Sequence, residues 1–476
     1  MATLEPTSPA APTESPDPTP EIAPRVLSAA ETTSTTRLPE SPASASPFGV
    51  SGLDVWPGPV LFAQALAETN GRWLRLHDGA GIDWSYQRMR QNGFDFSALD
   101  TLIRELQDHD IALSLSLSPW GASNLCLDAE IEAVSYVPAD LAGYQDYVHQ
   151  VVERYDGDGV RDMLGLRYAI RMWQLDDGAD LLWADCADAG MPDFASAQQY
   201  FALYQATYNA IQEADPGAAL WPSFDFTLDE PYRYTNDYLK AFIDQLNQAG
   251  IPLPQLDLHD HGANRSSTLS AIALIQDIAP GVPIWVGATS LPSGEQVRPR
   301  GDFHSFDPDI QARALISWYL GLLSHPTVEK VFWQPLYDLP PGETGYAQYG
   351  TNGLWQCLPP QDAEEDSVAC EGYEPKPSQA AYRLLVEKLD GFQSLEEINI
   401  TTYRARFPDG RVAMVLWTYA DPALLDLREY GLSGVVTVTH LRETGGEELV
   451  SRVEQLEARS VPIGLEPIFV EWQPPG

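Results

Sequence analysis

Between residues 48 and 392, short apolar runs alternate with longer stretches in which apolar residues recur at three- and four-residue spacing. The runs are FGVSGL (48–53), RWLRLH (72–77), IALSLSLS (111–118), YAIRMWQL (168–175), AALWPSF (218–224), QLDLH (255–259), PIWVGA (283–288) and KVFWQPL (330–336). Their length and composition predict strands. Between them lie DFSALDTLIRELQDHD, ADLAGYQDYVHQVVERY, SAQQYFALYQATYNAIQEAD, YLKAFIDQLNQAG and DIQARALISWYLGLLS, and PSQAAYRLLVEKL (377–389) follows the eighth run. Their spacing predicts amphipathic helices. Eight successive β-then-α units predict an α/β fold of the TIM-barrel type, a (β/α)8 barrel over 48–392.

The pattern changes at both ends. After Gly391 it becomes strand-like throughout, with INITTYRARFP, RVAMVLWTY, VVTVTHL, EELVSRV and PIFVEW separated by turn residues such as the Asp-Gly of PDGR. Residues 393–476 are therefore expected to form a small β-sandwich. Residues 1–47 are rich in Pro, Ser, Thr, Ala and Glu and carry too little apolar surface to offset ordering entropy, which predicts a disordered linker or stalk.

Charge narrows the partners. The chain has 68 acidic and 28 basic residues, a formal charge of −40, which repels phosphate backbones and anionic headgroups. Nucleic acid and membrane surfaces are thus excluded as expected partners, and no stretch is long and apolar enough to span a bilayer. The four cysteines, Cys126, Cys186, Cys357 and Cys370, form no C-x-x-C pair, so zinc ligation is not expected. An even number of loop cysteines in an acidic chain fits disulfides in an oxidising compartment, Cys357 with Cys370 and Cys126 with Cys186; the alternative is four unpaired thiols. The expected location is outside the cell or at its surface, although the first residues lack the charged start and apolar core of a secretory signal.

The segment RWLRLHDGAGIDWSYQRMRQNGFDFSALDTLIRELQDHDIALSLSLSPW resembles the second and third units of clan A glycoside hydrolases. The matching residues are Arg75, Trp84, Gly93-Phe94-Asp95-Phe96 and Pro119-Trp120. The resemblance continues through VPADLAGYQDYVHQVVERYDG, AIQEADPGA and KPSQAAYRLLVEKL, and the trailing β-domain is similar to that of the β-xylosidase and α-L-iduronidase branch. It implies an acid/base glutamate after strand four and a nucleophilic glutamate at the end of strand seven, about 5 Å apart.

Neither glutamate is present. The Trp-Glu-x-Trp-Asn-Glu-Pro pattern falls on Trp173 to Ala179 and places Gly178 at the acid/base position. The Pro-Ile-x-x-Thr-Glu-x-Gly pattern falls on PIWVGATS and places Ala288 at the nucleophile position. Fallback carboxylates are Asp177 and Asp338, with Asp176, Asp180, Asp260 and Glu295 nearby in sequence. Aromatic side chains on or after strands could stack on a sugar: Trp84, Trp120, Trp173, Trp183, Trp285, Trp333 and Tyr337. Asp177 and either His259 or His261 are candidate sugar contacts; the two histidines with Asp257 are only a weak metal signal, and no cofactor is expected. These residues predict a degenerate glycosidase-like barrel with a carbohydrate-binding or scaffolding role. The alternatives are an active hydrolase with relocated carboxylates and a structural cell-surface protein; protein partners are not specified.

Overall fold

In the computed structural model, the described chain runs from Arg37 to Pro474, apart from residues 53–54, 56, 78–81, 83, 89, 91–92, 119–137, 139, 176–196, 225–233, 261–264, 294, 298–302, 306, 341–349, 359, 361–369 and 442–451. All eight predicted strands are present: β1 (Phe48–Gly52), β2 (Trp73–Leu76), β3 (Ala112–Ser116), β4 (Met172–Leu175), β5 (Ala219–Pro222), β6 (Leu256–Asp260), β7 (Ile284–Thr289) and β8 (Val328–Trp333). They form one parallel sheet in the order β5-β4-β3-β2-β1-β8-β7-β6. At the seam between β5 and β6, a side-chain bond from Ser223 Oγ to Asp257 Oδ2 (2.7 Å) joins the two ends of the sheet.

A helix follows each strand: α1 (Pro59–Glu68), α2 (Ser97–Asp108), α3 (Leu141–Tyr155), α4 (Ala197–Ala214), α5 (Tyr234–Ala249), α6 (Arg265–Ile278), α7 (Pro308–Leu323) and α8 (Pro377–Leu389). Their starts follow from local chemistry. Asp140 accepts the Gly143 amide at the head of α3, and Asp307 accepts the Asp309 amide before Pro308 opens α7. In α2 the buried residues Leu99, Leu102, Ile103 and Leu106 recur at helical spacing and define one apolar face.

Strand alternation then sorts the barrel into an outer and an inner set. Leu74, Leu76, Leu115, Leu256, Leu258, Ile284 and Val286 join the helices in the main core. The alternate residues form two layers inside. The lower layer is largely aromatic: Trp73, Trp221, Trp285 and Phe332 with Ala112 and Met172. A Cβ at position 49 would overlap the Phe332 ring, so β1 needs Gly49 there. The upper layer is polar and buried, containing Ser51, Arg75, Ser114, Gln174, Ser223 and Asp257.

Residues 37–47, which composition groups with the linker, are part of this body. A 3-10 turn, Pro42–Ala45, lies beneath the aromatic layer and contributes Ala43 to it. Lys330 donates from Nζ to the carbonyls of Ser44 and Ser46, both at 2.8 Å, and its ammonium lies 4.6 Å and 5.2 Å from the ring centroids of Trp73 and Trp285. Burial pulls the Lys330 ammonium down to about 8. Further along this strap, Arg37 pairs with the fully buried Asp215, and the Leu38 amide donates to Gly157 O at 2.8 Å.

Beyond the barrel, β9 (Ser394–Asn399), β10 (Thr402–Arg406), β11 (Val412–Leu416), β12 (Ala423–Leu425), β13 (Val435–His440), β14 (Arg452–Glu457), β15 (Val461–Ile463) and β16 (Ile468–Trp472) form the expected β-domain. The run 398–408, read from sequence as one strand, contains a turn: Asn399 and Thr402 close a hairpin between β9 and β10. The main sheet has the order β9-β10-β11-β16-β13-β14, with β12 and β15 as a second, two-stranded layer. Val412, Met414 and Leu416 face that layer, whereas Ala413 and Val415 join the barrel core, so β11 is apolar at every position. Glu471 binds both Lys388 (3.0 Å) and Arg411 (2.9 Å), tying the sheet to the end of α8.

The strap carries a direct test. A chain starting at Phe48 leaves Lys330 and Asp215 buried without their partners, and removing one partner of a buried charge costs about 3–5 kcal/mol. Its melting temperature is expected to fall by several degrees relative to a chain starting at Arg37. Equal melting curves would show that the strap is not part of the folded unit.

Candidate active site

The polar layer converges on one buried ion pair. Arg75, from β2, has no solvent exposure; its Nη2 lies 3.3 Å from Asp257 Oδ2 on β6. The remaining guanidinium donors are also used: Nε to Gln174 Oε1 at 2.9 Å, and Nη1 to Ser51 Oγ at 3.1 Å and the Gly287 carbonyl at 3.4 Å. Four barrel strands besides β2 thus supply partners to one side chain.

Asp257 is equally surrounded. Its Oδ2 receives Ser223 Oγ (2.7 Å), His259 Nε2 (2.8 Å), Gln174 Nε2 (3.3 Å) and Arg75, while Oδ1 receives the Gly287 amide (3.0 Å). An ionised carboxylate only accepts, so the contact with Asp257 is a hydrogen bond when Nε2 of His259 carries the proton; the same Nε2 lies 3.3 Å from Arg75 Nη2. Burial pushes the Asp257 carboxyl up, but His259 and Arg75, by charge and hydrogen bonding, and the Ser223 hydroxyl outweigh it and hold the group below its ordinary value. A Cβ at Gly287 would overlap Asp257 Oδ1, so the carboxylate occupies the space a side chain on β7 would fill.

The end of β7 itself is bare of acids. Ala288 is fully buried and stands in register beside His259. From Ile284 to Pro292 no Asp or Glu occurs, so a shift of one residue in the family alignment does not restore a carboxylate at this strand end. At the adjoining ends of β7 and β8, the Gln334 amide donates to Thr289 O at 2.9 Å. Nearby, Thr289 Oγ1 and Gln334 Oε1 are buried without hydrogen-bond partners.

The other candidates separate. Trp84 packs against Phe94, Tyr144 and Tyr147, on the helix side of the barrel. Trp333 is fully buried, and its Nε1 donates to Asn352 O at 2.9 Å. Tyr337 donates to Leu61 O (3.2 Å) and packs on Tyr373. All three are spent on packing: Trp333 is on the outer face of β8, whereas Trp84 and Tyr337 lie in the segments that follow β2 and β8. Asp338 is engaged as well: Lys376 Nζ lies at 2.5 Å and the Gly353 amide at 2.8 Å, and burial raises its carboxyl to about 6 despite the lysine. Among the described sugar-contact candidates, His259 alone enters the central network.

Trp120, Asp176, Asp177, Gly178, Asp180, Trp183 and His261, with Cys126 and Cys186, lie outside the described residues. The expected Cys357–Cys370 disulfide is present beside the hairpin of Trp355–Leu358 and Gly372–Pro375. Sequence reading understated Asp257, Gln174 and Ser223. The available signal was a carboxylate flanked by Leu256 and Leu258.

The pair predicts a large and pH-dependent effect. Asp257→Asn leaves Arg75 buried without a counter-charge and should destabilise the fold by about 3–5 kcal/mol, with Arg75→Met recovering part of that loss in the double variant. Because the folded-state value of Asp257 is depressed, its contribution is complete above about pH 4 and lost as pH falls through the folded value. Melting curves should therefore show the gap between wild type and Asp257→Asn narrowing below pH 4; strictly additive variants would contradict the coupling.

No family profile matches the sequence, and no curated protein matches it. Solved structures do. A family 39 β-xylosidase from Caulobacter crescentus aligns with 16% identity and a TM-score of 0.57, covering 92% of this chain and 98% of the other. A family 39 glycoside hydrolase from Bacteroides cellulosilyticus WH2 aligns with 13% identity and a TM-score of 0.56, covering 91% and 82%. An arabinofuranosidase aligns with 10% identity and a TM-score of 0.54, covering 92% and 98%. The chain thus has the fold of the clan A glycoside hydrolases, a (β/α)8 barrel followed by a β-domain.

Proposed function

We propose that this protein is a non-hydrolytic carbohydrate-binding member of the glycosidase-like barrels and that it acts outside the cell. The observation carrying this reading is the saturation of Asp257. Hydrolysis needs one carboxyl group free to attack or activate water and a second able to donate a proton. Among the described residues, β7 ends without an acid, Asp257 accepts five hydrogen bonds, and Asp338 is held by Lys376. A carboxylate with four donors on one oxygen and a backbone amide on the other is a poor nucleophile and a poor base.

Binding is supported by the buried, unpartnered Thr289 Oγ1 and Gln334 Oε1 at neighbouring strand ends. Buried polar atoms of this kind are costly unless a guest or water completes them. Barrel strands of this class carry their ligand sites at the C-terminal end. Pentose-containing oligosaccharides are the first ligands to try, since the structural neighbours include a β-xylosidase and an arabinofuranosidase. The Cys357–Cys370 disulfide supports an oxidising location.

The test combines aryl-glycoside hydrolysis with a glycan array. No turnover together with saturable binding of an oligosaccharide is expected. Turnover abolished by Asp177→Ala would replace this reading with a hydrolase that uses relocated carboxylates, and absence of any glycan binding would leave a structural role. Ala288→Glu should lower the melting temperature without creating activity, because a new buried acid would stand beside His259 and near a carboxylate that already neutralises Arg75. An unchanged melting temperature with strong new hydrolysis would overturn the proposal.

A further inference from the structure

The loop DGDGVRD, Asp156 to Asp162, lies between α3 and β4, on the side of the barrel opposite the strand ends that carry the candidate site. One carboxylate oxygen from each of Asp156, Asp158 and Asp162 lies within 4.8 Å of the other two. Loop amides fix these carboxylates: Gly157 and Gly159 donate to the two oxygens of Asp162 at 3.2 Å and 2.8 Å, and Val160 donates to Asp158 at 2.7 Å. In a chain of charge −40, acidic surface loops are common and such a cluster alone means little.

Asp156 sets this one apart. Its side chain has no solvent exposure; Oδ1 accepts the Asp158 amide at 3.2 Å, and Oδ2 has no hydrogen-bond partner. The nearby guanidinium of Arg37 is bonded to Asp215. A buried carboxylate oxygen with no donor, beside two further carboxylates, calls for a hard cation.

We propose that Asp156, Asp158 and Asp162 bind a divalent cation, calcium in preference to magnesium, and that the ion locks the α3–β4 loop against the N-terminal strap. The preference follows from coordination: magnesium demands near-ideal octahedral geometry and gives up its waters reluctantly, whereas calcium accepts several carboxylates in a flexible shell. Three carboxylates supply part of calcium's six to eight oxygens, and carbonyls or water complete them. The link to the strap is direct, because Gly157 accepts the Leu38 amide.

The experiment uses the full chain, stripped with EDTA and returned to chelator-free buffer with 150 mM salt. Calcium chloride is titrated calorimetrically, magnesium chloride in parallel, and melting curves are recorded with and without each ion. The expected result is one saturable calcium site with a Kd on the order of 10⁻⁴ M, as in extracellular calcium modules, with at least tenfold weaker magnesium binding. Calcium should also raise the melting temperature. Asp158→Asn should weaken calcium at least tenfold while the protein remains folded, since Asp158 is only half-buried; Asp162→Asn should do the same but risks the loop. Absence of a saturable site would overturn the proposal, as would calcium binding of equal affinity in Asp158→Asn, which would place the ions on the general acidic surface.

Discussion

A guanidinium without solvent contact at the axis of a barrel must be neutralised where it stands, and the central architecture of this protein is arranged around that requirement. Arg75 has its counter-charge on β6, its amide partner on β4, a hydroxyl on β1 and a carbonyl on β7. Moving any of these strands by one residue would turn the partner outward and leave a charge in a low-dielectric interior. The network therefore fixes strand register as well as site chemistry. It also explains why the upper interior is polar, while the layer below it, which has no buried ion pair to satisfy, is largely aromatic.

The strap repeats the same logic at the opposite end. Lys330 points into the aromatic floor, where its charge is stabilised by the faces of Trp73 and Trp285 and by two carbonyls from the 3-10 turn. A lysine with no such turn would have to remain neutral or draw water into the floor. Residues 37–47 are accordingly required by a side chain nearly three hundred positions away. That is why composition could not assign them: Pro, Ser and Ala look like linker until the group they satisfy is known.

Local periodicity made the eight β/α units legible, because parallel strands buried on both faces and helices buried on one face leave different patterns. The absence of acids at the strand-seven end was legible too, since no Asp or Glu occurs from Ile284 to Pro292. Side-chain direction was not. Trp84, Trp333 and Tyr337 all occur on or after strands, but each faces the helix layer, and a period-two pattern does not reveal which parity faces inward when both parities are apolar. Asp257 and Asp338 illustrate the same limit for acids: one enters the barrel axis and the other a lysine pair, and only their distant partners tell them apart.

The buried charge of Arg75 sets an electrostatic requirement at β7, where no acid occurs from Ile284 to Pro292. The Arg75 charge persists, and without an acid on β7 it must find another neutralising group. Asp257 reaches across from β6, and Gly287 leaves its carboxylate the space to do so. The small residues on β7 and the acid on β6 are then two halves of one arrangement: a side chain at 287 would exclude Asp257, and loss of Asp257 would strand Arg75. Such an arrangement keeps the fold stable while committing the central acid to structure. Once its lone pairs are engaged by Ser223, His259, Gln174, Arg75 and Gly287, reaction at an anomeric carbon would require breaking the contacts that hold the barrel in register. Both oxygens of Asp257 are thus held by contacts from the strands whose register they fix.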